Sequence, residues 1–279
     1  MKKLFVVSAL SLMASTSFAA TVSGGSSNAT LVLAAPSNMM AANTAGIAMP
    51  TSIGGTVDAS KVVSFAAGPI YQTNLKLTGT GFSSAIITQT NPSTGVTSNV
   101  SETWKNTYAY NTNVYAYRQI DDPLPNFPQF GGEVIAKVSG VEVYFGEWAP
   151  RKTGTQPLNS TDLNLSSPDR TVWYVGENPT TSMPALVNAK YNVVGVNQYA
   201  PNTGAGVTSG VLTANYGSGS GTLTGSVGTL NFAGTTIASN GSFARGSNIQ
   251  GQFYGANAEA LAGICLLYTS DAADEEDSG

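Results

Sequence analysis

Apolar residues in this chain recur at every second position over short, closely spaced runs. Leu212, Ala214 and Tyr216 fall on one side of an extended segment while Val211, Thr213 and Asn215 fall on the other, the period that sends successive side chains to opposite faces of a strand. Gly217–Gly221 supplies a turn, and Leu223 and Val227 then alternate with Thr222, Thr224 and Ser226, so this stretch predicts a hairpin. Leu230 with Phe232, Ser242–Ala244 and Ile249–Tyr254 predict further short strands. Strands this close, joined by Gly, Asn and Ser, predict an antiparallel up-and-down barrel of about eight strands, a closure that removes exposed edges.

Upstream the texture changes. Tyr108, Tyr110, Tyr115 and Tyr117 stand at strand-like intervals, and the Pro-rich stretch Asp121–Pro128 that follows predicts a loop, since proline leaves a ladder without its donor. Gly132–Trp148 predicts two strands, with Val141, Val143 and Phe145 on one face. Arg151–Ser167 is polar and turn-rich, a boundary between domains or an ordered long loop. No long stretch carries the i, i+3, i+4 spacing of a helix. The expectation is an all-β protein with a β-rich domain over 20–165 and a C-terminal barrel over 166–264.

The two ends read differently from the rest. Met1–Ala19 has Lys2 and Lys3, an apolar run from Leu4 to Met13 and Ser17-Phe18-Ala19 before Ala20, the layout of a secretory signal peptide, which predicts export to the periplasm and beyond. That run is too short for a permanent span, and no later window qualifies, so no membrane span is expected. Cys265–Gly279 resembles a translated sequencing adapter, the other reading being a natural acidic tail; on the adapter reading the natural chain continues past Ile264 with a further strand. Without the two ends, ten basic residues face eleven acidic ones, a balance that gives no electrostatic footprint for nucleic acid. The single cysteine, Cys265, lies in the tail, so the fold relies on core packing and not on disulfides.

Composition also narrows the chemistry. The chain has no histidine, which removes Ser-His-Asp and Cys-His nucleophile pairs and His-based zinc sites. Asp121 and Asp122 sit beside prolines as loop-solvating residues, and Glu133, Glu142 and Glu147 are spread along strands where they are expected to face water. The Gly217–Gly225 run lacks the Lys-Ser/Thr of a phosphate loop. A non-enzymatic role is expected.

Four segments, Tyr115–Gln119, Val143–Trp148, Thr222–Ser226 and Gly251–Glu259, together resemble the hemophilin group, secreted haem scavengers of Gram-negative bacteria. Their C-terminal barrel is related to that of transferrin-binding protein B. The barrel motif is carried by Gly251, Phe253, Tyr254, Gly255, Asn257, Ala258 and Glu259. On this resemblance Gly251 and Gly255 allow bends, Phe253 or Tyr254 fills the barrel, and Asn257–Leu261 forms a short helical turn. The resemblance implies that the domain over 20–165 is the ligand-binding handle of a released hemophore that takes haem, free or from a host haemoprotein, for iron acquisition. It also implies export by an outer-membrane translocator, the surface lipoprotein assembly modulator, and delivery to a TonB-dependent haem receptor.

Haem in that group is expected on histidine, which this chain lacks. The remaining iron-ligating types are Met and Tyr, which makes Met39, Met40, Tyr108, Tyr110, Tyr115 and Tyr117 the haem-contact candidates, against a plain packing role for each. The alternative function is a cofactor-free interaction module that binds a host protein through loops such as Asp121–Phe130.

Overall fold

The computed structural model describes residues 20–77, 81–91, 94–121, 126–154 and 156–266. The leader Met1–Ala19, the residues after Leu266, and Asp122–Pro125 of the Pro-rich loop lie outside the described residues.

The chain is all-β, with one short α-helix and one 3-10 turn, Ala109–Asn111, among the described residues. In order the elements are β1 Val22–Ser26, β2 Leu33–Pro36, β3 Ala45–Ala48, β4 Val63–Ser64, α1 Pro69–Lys76, β5 Ser83–Thr90, β6 Thr97–Thr107, β7 Asn113–Gln119, β8 Gly132–Lys137, β9 Val143–Ala149 and β10 Thr171–Glu177. The second half follows as β11 Leu186–Ala200, β12 Ala205–Gly217, β13 Ser220–Val227, β14 Leu230–Asn231, β15 Thr235–Ile237, β16 Ser242–Arg245, β17 Ile249–Tyr254 and β18 Ala260–Cys265.

Seven strands form one antiparallel sheet in the order β1-β10-β9-β8-β7-β6-β5. The meander from β5 to β10 is local, whereas β1 closes the far side by pairing Val22–Ser26 with Trp173–Glu177. The first unit therefore extends through Glu177, past the boundary expected at residue 165. The described residues of 151–167 form a long loop inside that unit, anchored by buried Leu163 and Leu165.

Both faces of this sheet are covered. On one face Tyr115, Tyr117, Ile135, Tyr144, Trp148, Trp173 and Val175 pack against a cap that includes Val32, Ala45, Ile47, Met49, Val63 and Phe65. The cap contains the small sheet β2-β3-β4, and Phe65 stacks on Trp173 at 5.0 Å and on Tyr144 at 4.8 Å. The helix α1 sits beside it, with proline in its first turn and Lys76 in its last, the placements that suit its orphan donors and its dipole.

The other face meets the barrel, whose strands run β11-β12-β13-β15-β16-β17-β18, with β14 paired to β13. The expected alternation holds: Leu212, Ala214, Tyr216, Leu223, Phe243 and Phe253 are buried in one core, while Val211 is 41% exposed. The β12–β13 hairpin turns on Ser218 and Gly219, both at positive φ, the two-residue geometry that matches strand twist.

Two expectations for the barrel motif are corrected. Gly251 lies mid-strand opposite Gly263 and Phe243, where a Cβ would stand 2.1 Å from the Phe243 ring; it makes room for an aromatic and does not bend the chain. Asn257–Leu261 is no helical turn: a tight turn built on Gly255 at φ 88 and Ala258 at φ 55 leads directly into β18. Gly255 does provide the expected bend.

Candidate functional site

The joint between sheet and barrel holds a buried carboxylate. Glu147 on β9, expected to face water, is fully buried. Neighbouring layers cover both faces of this central strand, so its alternation carries no exposed side. The Glu147 carboxylate accepts the backbone N–H groups of Gln198 (3.0 Å) and Tyr199 (2.8 Å) at the end of β11, and the Arg170 Nε–H at 2.7 Å. Arg170 also donates to Asn197 Oδ1 at 2.7 Å. Tyr254 extends the joint by donating its hydroxyl to the Ser23 carbonyl at 2.9 Å, while Phe253, one residue earlier, points into the barrel. Both oxygens of Glu147 accept hydrogen bonds that hold the end of β11 and Arg170 in place.

A cavity of about 870 Å³ opens at the same joint, within the size range of small-molecule sites. Its walls are β11 from Lys190 to Gln198, β18 with its flanks from Glu259 to Leu266, the sheet residues Phe145 and Val172, and the barrel interior at Leu212, Phe232 and Phe243. It is the seam where the barrel meander stops short of closing.

The cap face holds a second buried carboxyl. Glu133 on β8, also expected at the surface, is fully buried between cross-strand neighbours Tyr117 and Trp148. Neither carboxyl oxygen has a hydrogen-bond partner. Burial pushes its pKa up to about 8, so at neutral pH it is a protonated, uncharged acid. Glu142, the third of these carboxylates, sits in the turn before β9 and pairs with Lys137 at 2.6 Å.

The six haem-contact candidates are dispersed. Tyr115 and Tyr117 share the cap face with Met39. Tyr115 donates its hydroxyl to Asn74 at 2.7 Å, and the Tyr117 hydroxyl is held between the Thr73 hydroxyl and the Pro69 carbonyl. Burial raises both phenols above the ordinary tyrosine pKa. Met40 is 57% exposed at positive φ. Tyr108 and Tyr110 lie at the β6–β7 turn on the opposite side, where the Tyr108 hydroxyl meets that of Tyr199 at 3.1 Å and Tyr110 is largely exposed. None of the six lines the seam cavity. The structure therefore does not bring the six together at one site.

The Asp121–Phe130 loop is partly tied down. Gln129 donates its backbone N–H to the Pro50 carbonyl and accepts from Trp148 Nε1, and Phe127 packs on Phe130 with ring centroids 5.7 Å apart.

The freest surface lies at the other edge of the sheet. Among the described residues β5 pairs only with β6, and its sequence from Ser83 to Thr90 carries no charge and no proline, the features that usually blunt an edge against pairing. Pairing with β7 ends at Ser101–Gln119, so beyond it β5 and β6 continue as a two-stranded ribbon through Thr88–Asn99 and Thr90–Thr97. Ile86, Phe82 and Val96 on this hairpin are 38%, 51% and 59% exposed, and Tyr71 and Leu75 of α1 are similarly bare. An uncharged run of eight residues reads equally well as an interior strand, which hides this edge in the sequence.

No family model matches the chain.

Proposed function

We propose that this chain is a non-catalytic, secreted binding protein that acts as a cofactor-free protein-interaction module, with β5 and the β5–β6 ribbon as its recognition surface. One observation carries the reading: an uncharged edge strand with unpaired backbone groups stands among exposed apolar side chains. Such an edge is suited to take an extended segment of a partner by strand addition, backbone hydrogen bonds giving affinity and Phe82 and Ile86 giving selectivity. The buried carboxylates support a non-enzymatic role, since Glu147 is consumed in structure and Glu133 is sealed from solvent. The signal-like leader supports export. The resemblance to the hemophilin group supports a Gram-negative source and an outer-membrane translocator as export partner. We leave haem out of the reading because the six haem-contact candidates are dispersed and none lines the seam cavity.

The test has two arms. Hemin titrated into the mature chain is expected to give no saturable Soret shift; a saturable shift overturns the reading in favour of a haem carrier. A host-serum protein retained by the chain, once purified, is expected to bind it in calorimetry and to bind the Ile86→Lys variant at least tenfold more weakly; equal binding by both removes β5 as the surface.

A further inference from the structure

Backbone alternation fixes which groups the free edge of β5 offers. The Ala85 carbonyl faces β6, where it accepts the Thr103 hydroxyl at 3.2 Å, and the Asn91 N–H faces the same way, donating to the Val96 carbonyl at 2.9 Å. Odd-numbered residues therefore turn their backbone groups inward. Ser84, Ile86, Thr88 and Thr90 turn theirs outward, with no strand beside them among the described residues. The hydroxyls of Thr90 and Thr97, 2.8 Å apart, fit this phase, since cross-strand side chains come closest where the backbone bonds point away.

A strand that meets its own copy antiparallel is related to it by a two-fold axis, and a residue on that axis faces itself. Outward-facing residues must lie opposite outward-facing ones if both backbone bonds are to be exchanged. An axis through Ile86 satisfies this: Ile86 faces Ile86, and Ser84 of each chain faces Thr88 of the other. Phe82, just before the strand, then comes to the other chain's Thr90. Ile86 and Phe82 are 38% and 51% exposed in the single chain, and this pairing covers both.

Charge favours the chain's own copy as the occupant. Any charge near the axis would face its like, a destabilising pair. Ser83–Thr90 carries none, and it combines β-branched residues with the absence of proline, the composition of segments that pair with themselves. The charges behind it on β6 do not oppose the pairing. Glu102, opposite Ile86, is neutralised by Arg118 in a buried pair at 2.9 Å. Lys105, opposite Ser83, lies about 20 Å along the strand direction from its copy, beyond the reach of unscreened repulsion.

We infer that, with no partner bound, this chain forms a two-fold dimer in which β5 pairs with β5 of a second copy and the two seven-stranded sheets become one. The inference rests on the reading of β5 as the pairing edge and adds what occupies that edge first: a foreign segment gains it only by separating the copies. A single strand pair of eight residues buries less than a standard interface, so association is weak, with Kd about 10–100 µM.

Sedimentation of the mature chain alone, between about 1 and 300 µM, tests it. The mass is expected to rise from one copy to two. Ile86→Lys and Ile86→Glu are each expected to remain single copies over that range, and their equimolar mixture to regain the dimer, because opposite charges then face each other at the axis. A parent chain that stays a single copy overturns the inference, as does a dimer that both variants keep or a mixture that stays dissociated. If a variant fails to fold, hydrogen exchange in the parent decides: the outward amides of Ile86 and Thr88 slow at least about fivefold from the lowest to the highest concentration while those of Ala85 and Ile87 do not change, and exchange independent of concentration refutes the dimer. Partner binding is a separate readout. A single-copy chain whose partner binding is weakened by Ile86→Lys removes the dimer and keeps β5 as the recognition surface, whereas a dimer as described, with the purified partner binding parent and Ile86→Lys alike, keeps the dimer and removes the recognition reading.

Discussion

Removing the Glu147 carboxylate tests whether the joint between sheet and barrel is held by buried hydrogen bonds. The side chain is fully buried and receives three charge-assisted bonds, two from the backbone of β11 and one from Arg170. Each such bond contributes about 1.5–3 kcal/mol net, and their simple sum is an upper bound, because the Arg170 side chain is 22% exposed and recovers part of its hydration. Breaking a buried pair from one side costs about 3–5 kcal/mol, and Glu147→Ala is expected in that range, with Glu147→Gln about half as costly because its amide oxygen still accepts one N–H. The assay is urea unfolding followed by Trp fluorescence, with a double-mutant cycle against Arg170→Met, for which a coupling of about 1–3 kcal/mol is expected. A Glu147→Gln change below about 0.5 kcal/mol, the range of an ordinary surface substitution, refutes the account of the joint.

Three further outcomes follow from particular side chains. Glu133 has a folded pKa raised to about 8 from an ordinary 4.5, so the folded state holds its proton more tightly; stability from this group is present below pH 4.5, is lost as pH rises, and is fully lost above about pH 8. Glu133→Gln is therefore expected to match the parent near pH 5 and to exceed it by a few kcal/mol at pH 9, and urea midpoints that fall in parallel across that range would contradict burial as the cause. Gly251→Ala places a Cβ against Phe243 and the Ala262 carbonyl and is expected to cost about 1–3 kcal/mol, part of which Phe243→Leu recovers in the same background. For the buried pair Arg118–Glu102 at 2.9 Å, Arg118→Met alone is expected to destabilise by about 3–5 kcal/mol while the double change to Met and Leu is near neutral; thermal melts of the single and double variants decide it.

Local features of this fold were legible in the sequence, and features set by distant pairing were not. The period of two around Leu212 and Leu223 placed the barrel interior correctly, because β12 and β13 have one covered and one open face. The turn at Ser218–Gly219 and the bend at Gly255 were visible because positive φ selects residue types directly. Glu133 and Glu147 were misplaced for the opposite reason. β8 and β9 are covered on both sides, so nearly every residue along them is buried and alternation no longer marks a surface. The extent of the first unit was likewise hidden, since β1 joins β10 across most of that unit's length and nothing in Val22–Ser26 names its partner. The six haem-contact candidates were chosen by residue type alone, and type does not reveal that Tyr117 is engaged by Thr73 and Pro69.

The two free edges of the molecule differ in what surrounds them, and this separates their roles. The edges of β11 and β18 face each other across a partly open slot with both polar and apolar walls, so a strand seated there lies between the barrel and the sheet. The edge of β5 faces outward, with β6 on one side and solvent on the other, and apolar residues on it are exposed without a neighbouring layer to bury them. A strand added at β5 would extend the sheet into the surroundings and bring a second molecule with it. Filling the seam and occupying β5 are therefore independent events, and Ile86→Lys is expected to leave hydrogen exchange at residues 190–196 unchanged.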